Sequence, residues 1–343
     1  MHTLPPPVCR DAMNTQPSCH DCSVSPASFA SRRSFLKTSA SLLAGSALPL
    51  IGRDPAKPTG ETLSAQLFKS LTEDQRKKVC FGFDDPLRSK VDNNWMIVPH
   101  SVADTFTPDQ QALIRDLFNS LHSGEYAKTV FDQVVHDSEG DGFEKGTAVA
   151  IFGEPGSGKF EFVLTGRHVT RRCDGDSVDG AAFGGPIFYG HAADGFNEKP
   201  DHPGNVYWYQ AKRANEVFKA LDGKQRDQAM MAEGRPEKHS DTVKLSGKAG
   251  GLSGIPVGSL SGDQKELVKK VLGDLLAPYR KSDAEEAMKL ITARGLDELH
   301  MAFAKNGDIG NDGIWDVWQI EGPNMLWYFR GAPHVHCWVN IRA

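Results

Sequence analysis

Apolar residues recur at helical spacing behind four short polar starts. The starts are Leu71-Thr72-Glu73-Asp74-Gln75, Phe106-Thr107-Pro108-Asp109-Gln110, Leu221-Asp222-Gly223-Lys224-Gln225 and Leu260-Ser261-Gly262-Asp263-Gln264. In each, a Thr, Asp or Ser can accept from the amide three residues on, and the Gln there can reach back to the cap. Pro108 takes the first helical position, where its missing N–H costs nothing. Ala112, Leu113, Leu117, Phe118 and Leu121 then follow an amphipathic period, as do Leu267, Val268, Val271, Leu272, Leu275 and Leu276. Between the helices, residues 147–153 and 160–165 flank a Gly/Pro turn and predict a hairpin. Further strands are predicted at 187–190, 315–320, 325–330 and 335–341. The last three are closely spaced and aromatic, which predicts an antiparallel meander. Residues 233–258 are rich in Gly, Ser and Lys and read as a long surface loop. The predicted class is α+β: amphipathic helices packed on an antiparallel sheet that contains the C-terminal meander. No sharp linker divides 61–343, so one domain is predicted there. The four helix starts are unevenly spaced and do not form a solenoid.

Composition narrows the classes. The chain is 24% charged and 39% hydrophobic, too apolar for a wholly disordered protein. A net charge of −5 gives no global basic field for nucleic acid. Residues 1–51 read as an unstructured extension followed by a twin-arginine export signal. Arg32-Arg33 precede Phe35-Leu36-Lys37, and the apolar run 38–51 is short and rich in small residues. This reading predicts the twin-arginine export machinery as a partner and a periplasmic or secreted location. It leaves no transmembrane span in the exported chain. Cys9, Cys19 and Cys22 would leave with the signal. Cys80, Cys173 and Cys337 remain, so at most one internal disulfide can form.

Two motifs are read as turns. Gly153-Glu154-Pro155-Gly156-Ser157-Gly158-Lys159 fits a phosphate-loop spacing, but Phe160 stands where the magnesium-binding Ser or Thr belongs, and a strand follows. Asp174, Asp176 and Asp179 lack the glutamate at the twelfth loop position that a calcium loop requires.

The histidines carry the candidate chemistry. His334 and His336 are two apart in a predicted strand and so share one face. His168, just past the 160–165 strand, is the candidate third ligand, and His191 a weaker fourth. Three imidazoles with an open position suit zinc or copper. Cys337 faces away from that set. His122 and His136 are expected in solvent, and His300 in a helix. Glu321 is the candidate acid/base. Arg330 and Arg342 are candidates to hold an anionic group.

Several ordered segments resemble the bacterial domain-of-unknown-function family numbered 3500, across about 61–342. They are Asn94-Trp95-Met96-Ile97-Val98-Pro99, Gly166-Arg167-His168-Val169, Phe183-Gly184-Gly185-Pro186, Ile320-Glu321-Gly322-Pro323 and His334-Val335-His336-Cys337-Trp338. Members often carry export signals. The resemblance implies that His168 and the His334/His336 pair belong to one pattern. This chain departs from it with Arg167 in place of a first histidine, and with Trp327 or Tyr328 in place of an acidic residue.

Two functions follow. One is an exported metalloprotein with His168, His334 and His336 as ligands, a zinc hydrolase favoured over a copper oxidase, on a small-molecule or polymer substrate the sequence does not name. The other is a non-catalytic binding module whose Trp315, Trp318, Trp327, Tyr328 and Trp338 line a groove for carbohydrate or peptide.

Overall fold

The computed structural model describes residues 58–192, 206–308, 311 and 313–343. The extension and export signal lie outside the described residues. Among the described residues, one sheet holds eleven strands. They are β1 (Cys80–Phe81), β2 (Thr147–Gly153), β3 (Phe160–Gly166), β4 (Val169–Cys173), β5 (Ile187–His191), β6 (Met230–Met231), β7 (Ile255–Pro256), β8 (His300–Ala304), β9 (Val317–Glu321), β10 (Met325–Arg330) and β11 (Val335–Ile341). Their order across the sheet is β1-β2-β3-β4-β5-β11-β10-β9-β8-β6, with β7 paired to β8 off that path. Neighbours are antiparallel except β1 with β2 and β6 with β8. The fold is α+β, and the predicted C-terminal meander is β9-β10-β11.

The strand order hides an internal repeat. The Cys80–Ile151 pairing recurs as Met230–Phe303. Ala148–Thr165 recurs as His300–Glu321, and Thr165–Thr170 as Glu321–Leu326. Val169–Tyr189 recurs as Met325–Ile341. The two five-stranded units meet where β5 pairs with β11, and the Ile187–Val339 pair maps onto itself. A pseudo-two-fold axis therefore passes through that pair.

The four capped helix starts are two pairs of the same repeat. Thr72, Thr107, Asp222 and Ser261 each cap a helix with a reciprocal Gln three residues on. Each Gln also clamps its partner helix. Gln75 Nε2 donates to Gln110 Oε1 at 2.7 Å, and Gln225 Nε2 to Gln264 Oε1 at 3.2 Å. Gln110 Nε2 reaches Ser70 O, as Gln264 Nε2 reaches Ala220 O. Helix Gly60–Ser70 packs on Pro108–Ser120, and helix Trp208–Ala220 on Gly262–Leu276. One side-chain type thus satisfies a helix end and fixes a helix pair in both copies.

The remaining elements depart from expectation in particular places. β4 runs through a segment read as neither strand nor helix, β8 begins at a residue expected in a helix, and the aromatic strand predicted from 315 begins at Val317. His300 opens β8 rather than packing in a helix, paired with Glu321 and Pro256. The 153–159 segment is a hairpin turn, and Phe160 enters β3, so no helix N-terminus faces a phosphate there. Trp318, Trp327 and Trp338 are wholly buried and Tyr328 nearly so, in two separate clusters, while Trp315 packs at the edge of the one that holds Trp318 and Trp327. They form no groove, and the reading that lined one with them is corrected. Cys80, Cys173 and Cys337 are all free thiols. No described helix is long and apolar enough to cross a membrane.

His122 is buried rather than solvated, correcting the expectation drawn from its polar neighbours. Its Nδ1 lies 2.8 Å from Phe118 O, and its Nε2 accepts from Arg171 Nε at 3.1 Å. That assigns a neutral ring with its proton on Nδ1. Burial, with Arg171 beside it, lowers its pKa from 6.5 to about 3. Below 6.5 the unfolded chain takes up a proton that the folded chain refuses until about 3. Stability from this group is therefore complete above that window and falls with pH inside it, by about 1.4 kcal/mol per pH unit. Denaturant melts from pH 6.5 to 4 should show a shallower acid loss in His122→Gln than in the parent. An equal slope would refute this assignment.

Candidate metal centre

β11 presents alternate residues to opposite faces of the sheet. Val335, Cys337, Val339 and Ile341 enter the large core, where Cys337 Sγ accepts from Trp327 Nε1 at 2.9 Å. His334 and His336 face the other way, and both are buried. The third ring comes from the turn between β3 and β4. His168 holds a left-handed φ of 55°, a conformation that costs a non-glycine residue free energy and often marks a functional site. Its backbone is pinned on both sides: its N–H donates to Asn93 O at 2.9 Å, and its C=O accepts from Gly190 N–H at 3.1 Å. Gly190 stands opposite His336 in the β5–β11 ladder. A Cβ at position 190 would strike Val335 O and lie 3.4 Å from His168 Cβ. The absent side chain is what lets the ring reach β11.

The three rings converge on one point. His168 Nε2 lies 3.1 Å from His336 Nε2, and His334 Nε2 lies 3.0 Å from the same atom. One ligand atom from each lies within 4.8 Å of the others, so the group could hold a metal ion. Tetrahedral zinc with bonds of about 2.0 Å places its nitrogens about 3.3 Å apart, close to these separations.

Each outer nitrogen of two of the rings meets a carboxylate. His168 Nδ1 is 3.2 Å from Asp137 Oδ2, and His336 Nδ1 is 2.8 Å from Glu237 Oε2. The Glu237 hydrogen bond assigns the proton of His336 to Nδ1 and leaves its Nε2 a bare lone pair, whereas His168 Nδ1 approaches Asp137 without a hydrogen bond. His336 Nε2 therefore has no hydrogen to give either neighbouring Nε2, at 3.1 Å and 3.0 Å, and one lone pair to offer both. Protonating His336 does not relieve this. Burial, then Arg330, then the other two histidines hold its pKa well below 6.5. A cation at the point of convergence would accept that lone pair together with one from each of the other two rings. Carboxylate–imidazole pairs of this kind orient metal-bound histidines and raise their basicity.

Neither carboxylate was identified from the sequence. Burial alone would raise the Asp137 carboxyl, but the close approach of the His168 and then the His191 imidazole holds it far below its ordinary value. Burial pushes Glu237 up, against the pull of Arg330. Glu237 sits in the 233–258 segment, which is largely loop as expected and crosses this face of the sheet. Asp137 ends the helix Ala127–Asp137. Only a polar residue beside an apolar helical period marked it in the sequence.

The other candidates lie elsewhere. His191 pairs with Val335 and shares that residue's face, not that of the three rings. Its Nδ1 is 3.7 Å from Asp137 Oδ2, and neither of its ring nitrogens is hydrogen-bonded. Arg330 Nε lies 3.1 Å from Glu237 Oε1. Glu321 is not brought to the histidines. His336 pairs with Arg330 and Arg330 with Val317, at the opposite end of β9 from Glu321. Four residues of strand separate them, about 13 Å. Glu321 instead accepts from Arg235 Nη2 at 2.5 Å and Gln319 Nε2 at 3.0 Å.

Two outcomes follow from this geometry. Asp137→Asn and Glu237→Gln should each weaken metal retention about 10- to 100-fold in a competition titration, with the fold intact by circular dichroism. Gly190→Ala should lower the melting temperature and abolish metal retention together, since the methyl must displace either β11 or His168.

Neither the curated proteins nor the solved structures include a match to the chain. A family model does match, over residues 57–340, and it spans every residue of this centre. The chain belongs to the family described as protein of unknown function (DUF3500).

Proposed function

We propose that this chain is an exported metalloprotein whose His168, His334 and His336 hold one zinc ion for hydrolytic chemistry. The observation that carries the reading is the mutual approach of three Nε2 atoms, two of them on rings whose Nδ1 faces a buried carboxylate. Three neutral imidazoles with an open position suit catalytic zinc, which supplies a water acidic enough to ionise near neutral pH. The donor set is all nitrogen: the nearest thiol in sequence, Cys337, is turned into the core. Copper electron-transfer sites take a thiolate, so copper is the second reading, confined to oxidative chemistry at a nitrogen-only site.

Residues of this chain carry the supporting roles. Asp137 and Glu237 would fix the tautomers of His168 and His336. Arg330 would hold Glu237 ionised against its burial, and the apolar residues around the rings would keep bulk water from competing for them. The twin-arginine pattern at Arg32-Arg33 supports export, and export of folded chains is compatible with metal loaded beforehand.

Elemental analysis of the purified protein should find about one zinc per chain and little copper. His334→Ala combined with His336→Ala should abolish it. Chelator should lower the melting temperature of the parent and leave the double variant unmoved. A metal-free parent with chelator-insensitive melting would overturn the reading.

A further inference from the structure

Glu321 lies about 13 Å from the histidines along the sheet, yet the chain ties it to them. Trp318 and Ile320 enter the large core, so Gln319 and Glu321 of β9 face the side of the sheet that carries the metal centre. There they meet Arg235 in a closed ring of three hydrogen bonds. Arg235 Nη2 donates to Glu321 Oε2 at 2.5 Å, Gln319 Nε2 to the same oxygen at 3.0 Å, and Arg235 Nε to Gln319 Oε1 at 3.2 Å. Glu321 is buried, so opening the ring would leave its carboxylate without a counter-charge away from water.

From this ring the chain reaches the metal centre in two residues. At Gly234 a Cβ would lie 2.6 Å from Val317 Cγ1 and 2.9 Å from Tyr328 Oη, so its absence lets the backbone lie directly on β9 and β10. Pro236 follows Arg235. It is exposed, so what it contributes is stiffness: its ring fixes its own φ and confines Arg235 before it to extended backbone. Glu237 comes next, with Oε2 2.8 Å from His336 Nδ1 and Oε1 3.1 Å from Arg330 Nε. Further on the segment is held again, where Val91 N–H donates to Ser240 Oγ at 3.1 Å. Glu237 is thus suspended between two anchors, and the nearer one is joined to it through a proline. A stiff link passes the anchor's position on to the carboxylate, and the geometry of a metal ligand depends on the groups behind it.

We propose that Arg235 and Glu321 are positioning residues of the metal centre: their pairing, carried through Pro236, holds Glu237 in register with His336. The inference rests on the zinc reading and adds to it a pair that never touches the ion.

The test is competition titration of zinc into the whole protein, parent and variants, with circular dichroism to establish that each variant is folded. Glu321→Gln and Pro236→Gly should each weaken zinc binding about tenfold. Arg235→Met should match them, and Arg235→Lys, which keeps the charge, should weaken it less. In a Glu237→Gln background the same changes should cost less than about twofold more, because the group they position has already lost its charge. A merely structural effect would weaken zinc equally in both backgrounds. Pro236 is at the surface, so Pro236→Gly keeps the test decisive if Glu321→Gln does not fold. The proposal fails if the folded variants bind zinc as the parent does, or if the losses are the same with and without the Glu237 charge. A parent that binds no zinc overturns the metal reading and this proposal together. A zinc-binding parent unmoved by either change overturns this proposal alone.

Discussion

The ladder between β5 and β11 is the contact on which the rest of the molecule depends. It joins the two five-stranded units into one sheet, and it sets His336 opposite Gly190. Were the register slipped by one residue, every side chain of β11 would change faces. The histidines would then enter the core and Cys337 would replace them. The apolar face of Val335, Cys337, Val339 and Ile341 opposes that slip, because it would put imidazoles among the side chains of the large core and take the histidines away from His168, Asp137 and Glu237. Hydrophobic burial on one face therefore fixes the geometry of polar groups on the other.

The centre itself joins the halves. Asp137 and His168 come from the first copy of the repeat, Glu237, His334 and His336 from the second. Neither copy holds a complete set. The residue just before β4 is His168, and the residue just before the matching β10 is Asn324. A duplicated scaffold permits this because the shared requirements are met by backbone pairing and capping glutamines, which leave strand ends free to differ.

Much of this was legible from the residues alone, for local reasons. Cap and Gln lie three apart, so the four helix starts were readable, and alternation along 335–341 placed His334 and His336 together. His168 was reachable as the residue following a predicted strand. The repeat was not read, because the two halves share few identical residues beyond the caps and are interrupted by unequal insertions. Asp137 and Glu237 escaped for a different reason: an isolated carboxylate carries no sign of which imidazole it will meet across a tertiary contact. Glu321 shows the converse error. It is near His334 in sequence, but a meander sends the two ends of β9 far apart. The tryptophans looked available for a ligand only while their burial was unknown.

The order in which a ribosome delivers the chain bears on the histidines. His168 emerges early, while β11 is the last strand of the sheet to be made. Until then the first half presents β5 as an open edge, with His168 and Asp137 beside it and nothing to complete them. Loading of any ion at the three histidines would therefore have to follow the synthesis of β11, and a product ending before that strand would lack two of the three rings.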